Sequence, residues 1–335
     1  MLEENASQFR VRLEKLGLSE TVITAAWPTW WSEAADASSS ARAELRYSIA
    51  RKLGLEPHSL LRDDGEPDFI WKNSARFKNI SEESDIERWA LTSFGTALGR
   101  MLLLGTIGGA EIGKSTALSL RTKVLETQPF VRLADLISIV WALGIPTVHL
   151  RVFPLLRKRM AAMSVRVGRG NAILLGKDSQ YPAQIAFYLA HELAHIYLNH
   201  VHDNEVLVDY EMSEKERGEK SDPEEVAADE FALELLTGYA KPIVLPDGSG
   251  RGPQSLAKAV LGASRDLAIE PGTLALCFGH STGDWQTAIG SLRYIYDAPR
   301  PVWREINRIA IRQLSFSDVP LDTAYYVKNI LGGAD

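Results

Sequence analysis

Residues 191–195 read His-Glu-Leu-Ala-His. Two histidines four apart on an α-helix lie one above the other, so both imidazoles can meet one metal ion. Glu192 projects about 100° around the helix, beside the open face of such an ion. Zinc suits imidazole and carboxylate donors, and catalytic zinc keeps one coordination position free. Zinc also brings the pKa of a bound water down to about 7 and polarises a carbonyl, leaving Glu192 to take the proton. The chemistry expected of His191, Glu192 and His195 is therefore metal-assisted hydrolysis. The competing reading is two surface histidines on an amphipathic helix. The small and apolar Ala194 and Leu193 point instead to a packed helix.

A catalytic zinc needs a third protein ligand. The run DPEEVAADEFALELL supplies Glu225 and Asp229, which share a helix face at i and i+4. Glu225 is expected on the metal, with Asp229 hydrogen-bonding a ligand histidine from behind. Glu224 is a rival ligand one residue away. Asp222 is the expected N-cap, so Glu225 also stands where a capping-box carboxylate commonly sits. His200 and His202 leave the i, i+4 face and are expected at an exposed helix end. For His149 and His280 the sequence offers no geometry that would assign a role at the oxyanion.

The metal helix should begin at Pro182, with Ile185, Ala186, Leu189, Ala190, Leu193 and Ile196 forming one apolar stripe. Ahead of it the sequence predicts strands at 148–153, 162–167 and 172–176, the last two joined by the GRGN turn. That hairpin could offer an edge for an extended substrate to pair with. Residues 202–222 are charged and read as a loop. The first 125 residues read as a helical N-terminal domain carrying five of the eight tryptophans, residues 126–243 as the catalytic core, and 244–335 as a C-terminal helical region. The fold class is α+β, mostly helical around a short sheet.

The chain has 335 residues, 45% hydrophobic and 24% charged, as an ordinary globular protein has. A net charge of −6 gives no bulk argument for nucleic acid binding. The segment through which such contact could occur is 41–62, whose SIARKLGLEPHSLL reads as helix, Gly turn, helix. The single cysteine, Cys277, forms no internal disulfide and is expected as a small buried hydrophobe. The charged N-terminus reads as no secretion signal, and no run is apolar enough for a membrane span, so a cytoplasmic protein is expected.

The stretches LGIPTVHLRVFP, NAILLGK, AFYLAHELAHIYLNH and EEVAADEFALELL together resemble the ImmA/IrrE family of metallopeptidases, over about residues 130–240. The resemblance implies a minimal zincin-like, thermolysin-like core, with His191, His195 and Glu225 as zinc ligands and Glu192 as general base. Members commonly carry Asn where this chain has Asp229. The resemblance also implies a protein substrate, a repressor or antitoxin of helix-turn-helix type encoded nearby. A second reading is a toxin–antitoxin or regulatory binding module whose zinc is structural.

A third signal competes. Residues 108–115, GGAEIGKS, match the phosphate-loop pattern through Gly108, Gly113, Lys114 and Ser115. The surrounding α/β alternation is missing, and the preceding apolar run continues a helical pattern from Ile86. A helix, Gly turn and helix is the expected structure there.

Overall fold

A computed structural model describes residues 4–62, 65–78, 84–110, 113, 115–158, 160–210, 222–243 and 252–333. Helices α1 (Ala6–Lys15), α2 (Glu20–Ala26), α3 (Ser39–Leu53) and the single turn α4 (Pro57–Leu60) lead to strand β1 (Ala75–Lys78) and the long helix α5 (Asp85–Leu104). Helices α6 (Ala117–Leu125) and α7 (Leu133–Ala142) precede β2 (Thr147–His149), β3 (Met160–Val167) and β4 (Gly170–Leu175). Then come α8 (Pro182–Tyr197), β5 (Val206–Tyr210) and α9 (Pro223–Thr237). The chain closes with α10 (Pro253–Leu267), α11 (Pro271–Thr282), α12 (Trp285–Ile295), α13 (Val302–Gln313) and α14 (Leu321–Ile330).

The strands form one mixed sheet in the order β1-β5-β3-β4-β2. β3 is antiparallel to both β4 and β5, while β1 runs parallel to β5 and β2 parallel to β4. Side chains alternate between the two faces at period two, and each face has its own core. Ala162, Ile173 and Leu175 pack with Ile185, Leu189 and Leu193 of α8 and with α7, α9 and α13. Met163, Val165, Leu174, Val206 and Val208 pack against Phe94 and Leu98 of α5. Two glycines let α5 approach closely: a Cβ on Gly99 would stand 2.8 Å from Val165 Cγ1, and one on Gly95 would run into Met163 Sδ. The α5 core is continuous with helices α1 to α3 and with Tyr326, Val327 and Ile330 of α14. Lys52 Nζ of α3, almost fully buried, donates to Asp322 Oδ1 of α14 at 2.8 Å and to the Ala26 carbonyl at 2.9 Å.

These contacts bear on the expected boundaries. Helix α5, counted with the N-terminal helical segment, covers a face of the sheet, and that segment also contains β1. The expected loop at 202–222 contains β5; its residues 211–221 lie outside the described residues. The β3–β4 hairpin forms as expected, but both strands have neighbours on each side. Neither is an edge, and the free edges belong to β1 and β2. The strand expected over 148–153 ends at His149, and Arg151 and Val152 turn their N–H groups to the carbonyl of Ile330. In the segment 41–62, Gly54 turns the chain at φ 72° and the second helix is only Pro57–Leu60. A recognition helix of ordinary length is therefore missing there. The run before Gly108 is the C-terminal end of α5 rather than a strand, and Glu111, Ile112 and Lys114 of the phosphate-loop match lie outside the described residues. Cys277 is buried in α11. No described helix is long and apolar enough to cross a membrane.

Candidate metal centre

Helix α8 forms where its residues require it. Pro182 occupies the first turn, where no intrahelical N–H is needed, and the apolar stripe faces the sheet. The stripe carries the adjoining turn of the helix inward, so His191, Glu192 and His195 are all buried. The helix ends in a Schellman turn. Asn199 adopts the left-handed conformation at φ 57°, His200 N–H donates to the His195 carbonyl at 2.9 Å, and Asn199 N–H donates to the Ile196 carbonyl at 3.2 Å. This turn folds the chain back over the last helical residues. It brings His200 Nδ1 to 2.9 Å from His195 Nδ1.

Four buried side chains converge: His191 and His195 from α8, Asp209 from β5 and Glu225 from α9. One donor atom from each lies within 4.8 Å of all the others, so the group could hold a metal ion. His191 Nε2 and His195 Nε2 are 3.0 Å apart. Glu225 is 3.5 Å from each of them through its two oxygens, and Asp209 Oδ2 is 3.4 Å from His191 Nε2 and 3.9 Å from His195 Nε2. Zinc bonds of about 2.0–2.1 Å would set the edges of a tetrahedron at about 3.3 Å, close to these separations.

The donor chemistry also fits a dication. Glu192 Oε1, both Asp209 oxygens and Glu225 Oε1 are buried and have no hydrogen-bond partner. Buried carboxylate oxygens left in that way cost several kcal/mol unless a cation compensates them. Two neutral imidazoles and two carboxylates would balance a charge of +2.

Without a cation these groups perturb one another strongly. Burial would lower the pKa of His191, but Asp209, Asp229 and Glu225 outweigh it and raise it well above the usual value. Burial and the charge of His191 push His195 down to about 3. Burial, reinforced by the charge of Asp209, raises Glu192 well above a normal carboxylate. Burial would also raise Asp209, yet His191 draws it down to about 2. Glu225 is raised, chiefly by burial.

The surroundings hold most of these donors in place. Asp229 Oδ1 lies 2.9 Å from His191 Nδ1, on the side of the ring away from the cluster. Ser164 of β3 donates to Glu192 Oε2 at 2.6 Å. Lys78 of β1 lies 3.7 Å from Glu225 Oε1. Glu224, the rival ligand, is drawn away from the cluster: its Oε2 accepts from Arg76 Nη1 at 2.7 Å and from Lys78 Nζ at 2.9 Å. Asp222 caps α9 by accepting from the Glu224 N–H at 3.0 Å, so Glu225 is not the reciprocal half of a capping box.

The sequence reading therefore placed His191, His195, Glu225 and Asp229 in one neighbourhood, and the structure brings them together. It missed Asp209, Ser164 and the contact of His200 with His195. His200 is half-buried rather than exposed, while His202 is exposed as expected. Asp209 lies in the run Val-Leu-Val-Asp-Tyr, whose β-branched residues were the available strand signal. Asn199 signalled the turn that returns His200. His149 stands apart from the cluster, with Nε2 2.8 Å from the Lys177 carbonyl, and His280 lies in α11.

No family model, curated protein or solved structure matches this chain.

Proposed function

We propose that the chain is a zinc-dependent endopeptidase that cleaves a regulatory protein of repressor or antitoxin type. In this reading His191, His195 and Glu225 hold the metal and Glu192 is the general base. Zinc bound there would acidify a water and polarise the scissile carbonyl. Glu192 Oε1 is the atom that accepts the proton, since Ser164 already occupies Oε2. The raised pKa of Glu192 fits a group that must take up a proton and pass it to the leaving amine, and a nearby dication would act against that rise. Asp229 fixes the tautomer of His191 so that Nε2 faces the cluster. The observation carrying the proposal is the buried Glu192, with one unpartnered oxygen, next to two histidines and a carboxylate that suit a dication. The class of substrate rests on the ImmA/IrrE resemblance of residues 130–240.

One observation favours a second reading. Asp209 supplies a fourth protein donor, and four protein ligands are the mark of a structural zinc in a binding module. Glu192→Gln separates the two readings. Purified with zinc and mixed with a candidate helix-turn-helix repressor as substrate, the variant should keep its metal and cleave nothing while the wild type cleaves. Equal cleavage by both would remove Glu192 from the mechanism. Bound zinc without cleavage by either would support the structural reading.

A further inference from the structure

We infer that Asp209 is a removable fourth ligand, which closes the metal's coordination sphere in the resting protein and must leave it before a peptide can be cut. The inference rests on the zinc-peptidase reading above and adds its regulation.

Three observations lead here. Asp209 Oδ2 approaches the same pair of histidines as Glu225, standing near a tetrahedral edge length from His191 Nε2 at 3.4 Å and somewhat beyond it from His195 Nε2 at 3.9 Å. With Asp209 in that position no site remains for the water that Glu192 needs, whereas catalytic zinc keeps one open. The four donors are also unequally braced. His191 rests on Asp229, His195 on His200, and Glu225 lies beside Lys78. Neither oxygen of Asp209 accepts a hydrogen bond from a bracing residue outside the site; its close neighbours are the other metal donors and Glu192. Finally, the β3–β5 ladder is irregular at this point. Pairing steps from Ala162 opposite Asp209 to Met160 opposite Tyr210, skipping Ala161. Such a bulge interrupts the regular ladder and bends its strand beside the site. Of the four donors, Asp209 is the one whose departure disturbs least.

The displacing agent would be the substrate's own carbonyl oxygen, a hard oxygen donor of the same kind; the position Asp209 leaves would serve the water, and the ion would be five-coordinate while carbonyl and water are both held. The device therefore needs no separate effector. It makes the peptidase slow on poor ligands and selective for a segment that binds well enough to expel Asp209.

The test uses the full chain loaded with cobalt(II), with acetohydroxamate as the probe and visible absorption as the readout. The wild type should bind cobalt with a spectrum that acetohydroxamate barely moves. Asp209→Ala should keep cobalt and shift at probe concentrations at least tenfold lower, with Asp209→Asn in between. The zinc form of Asp209→Ala should cleave a peptide substrate at least tenfold faster. The inference is overturned if the wild type responds to acetohydroxamate as readily as Asp209→Ala. It is also overturned if both Asp209 variants lose the metal, which would make Asp209 a permanent ligand, or if Asp209→Ala keeps zinc and loses cleavage. Failure of the underlying reading looks different: neither the wild type nor Asp209→Ala would cleave while both hold the metal, or His195→Ala would bind cobalt as well as the wild type.

Discussion

Asp229 tests how the protein prepares His191 for a metal. The imidazole Nδ1 sits 2.9 Å from Asp229 Oδ1, and the aspartate side chain is 50% exposed. Two contributions can be separated. The hydrogen bond fixes the ring and its tautomer, and removing it with Asp229→Ala should cost about 1.5 kcal/mol. That corresponds to roughly tenfold weaker zinc binding, the lower end of the about 10- to 100-fold range for partners behind a ligand histidine. The negative charge is half in water, so its share should be only about 0.5 kcal/mol, or roughly twofold. Asp229→Asn keeps an oxygen that can accept from Nδ1–H and loses the charge, so it should stay within about threefold of the wild type. Competition for zinc against a chromophoric chelator at neutral pH gives all three affinities, with melting of the metal-free proteins as a control for folding. An Ala variant that binds zinc as tightly as the wild type would refute the bracing role. An Asn variant as weak as the Ala variant would show that charge, and not orientation, does the work.

Three further outcomes follow from the packing. Gly99→Ala should destabilise the protein by about 1 kcal/mol or more in urea unfolding, because the methyl group meets the stiff Val165 2.8 Å away. Gly95→Ala should be closer to neutral, since the atom in its way is the sulfur of the flexible Met163; the reverse order would contradict the close approach of α5. Asp322→Ala strands the buried Lys52 ammonium and should cost about 3 kcal/mol in the same assay. Adding Lys52→Met should recover much of that loss, and a double variant no better than the single one would speak against the pairing. His149, 1% exposed, is pushed by burial down to about 4. The unfolded chain therefore binds the extra proton between about pH 6.5 and pH 4, and stability falls as pH drops through that window. The loss is roughly 3 kcal/mol, and His149→Gln should show a pH dependence shallower by that amount. Identical slopes would exclude His149 as the source.

The parts of the site carried by long helices were legible from the chain. The stripe from Ile185 to Ile196 fixes which side of α8 is buried, and the four-residue spacing then aligns His191 with His195. The same spacing aligns Glu225 with Asp229. The choice between Glu225 and Glu224 depended on Arg76 and Lys78, two cations of a strand that sequence reading did not find. β1 and β5 are four and five residues long and gain their stability by pairing with each other and with β3. Pairing partners so distant in sequence leave little local signature, and the charged residues after Tyr210 hid the apolar run of β5. Asp209 was missed for that reason: its role follows from the pairing opposite Ala162, which no spacing within its own segment encodes.

The candidate metal donors are spread along the chain in a way that would give a bound ion a second effect. A metal held by His195, Asp209 and Glu225 would tie the chain into two successive loops of roughly 15 residues, each closure worth about 3 kcal/mol in the chain-entropy account. The ion would then act as a knot in the covalent path as well as a reagent, fastening β5 and the start of α9 to the end of α8. Release of Asp209 merges the two loops into one of roughly 30 residues that remains tied at both ends, and loop entropy grows only slowly with such a doubling. The strand can give up its carboxylate while α8 and α9 stay clasped, so opening the metal and keeping the fold are compatible demands.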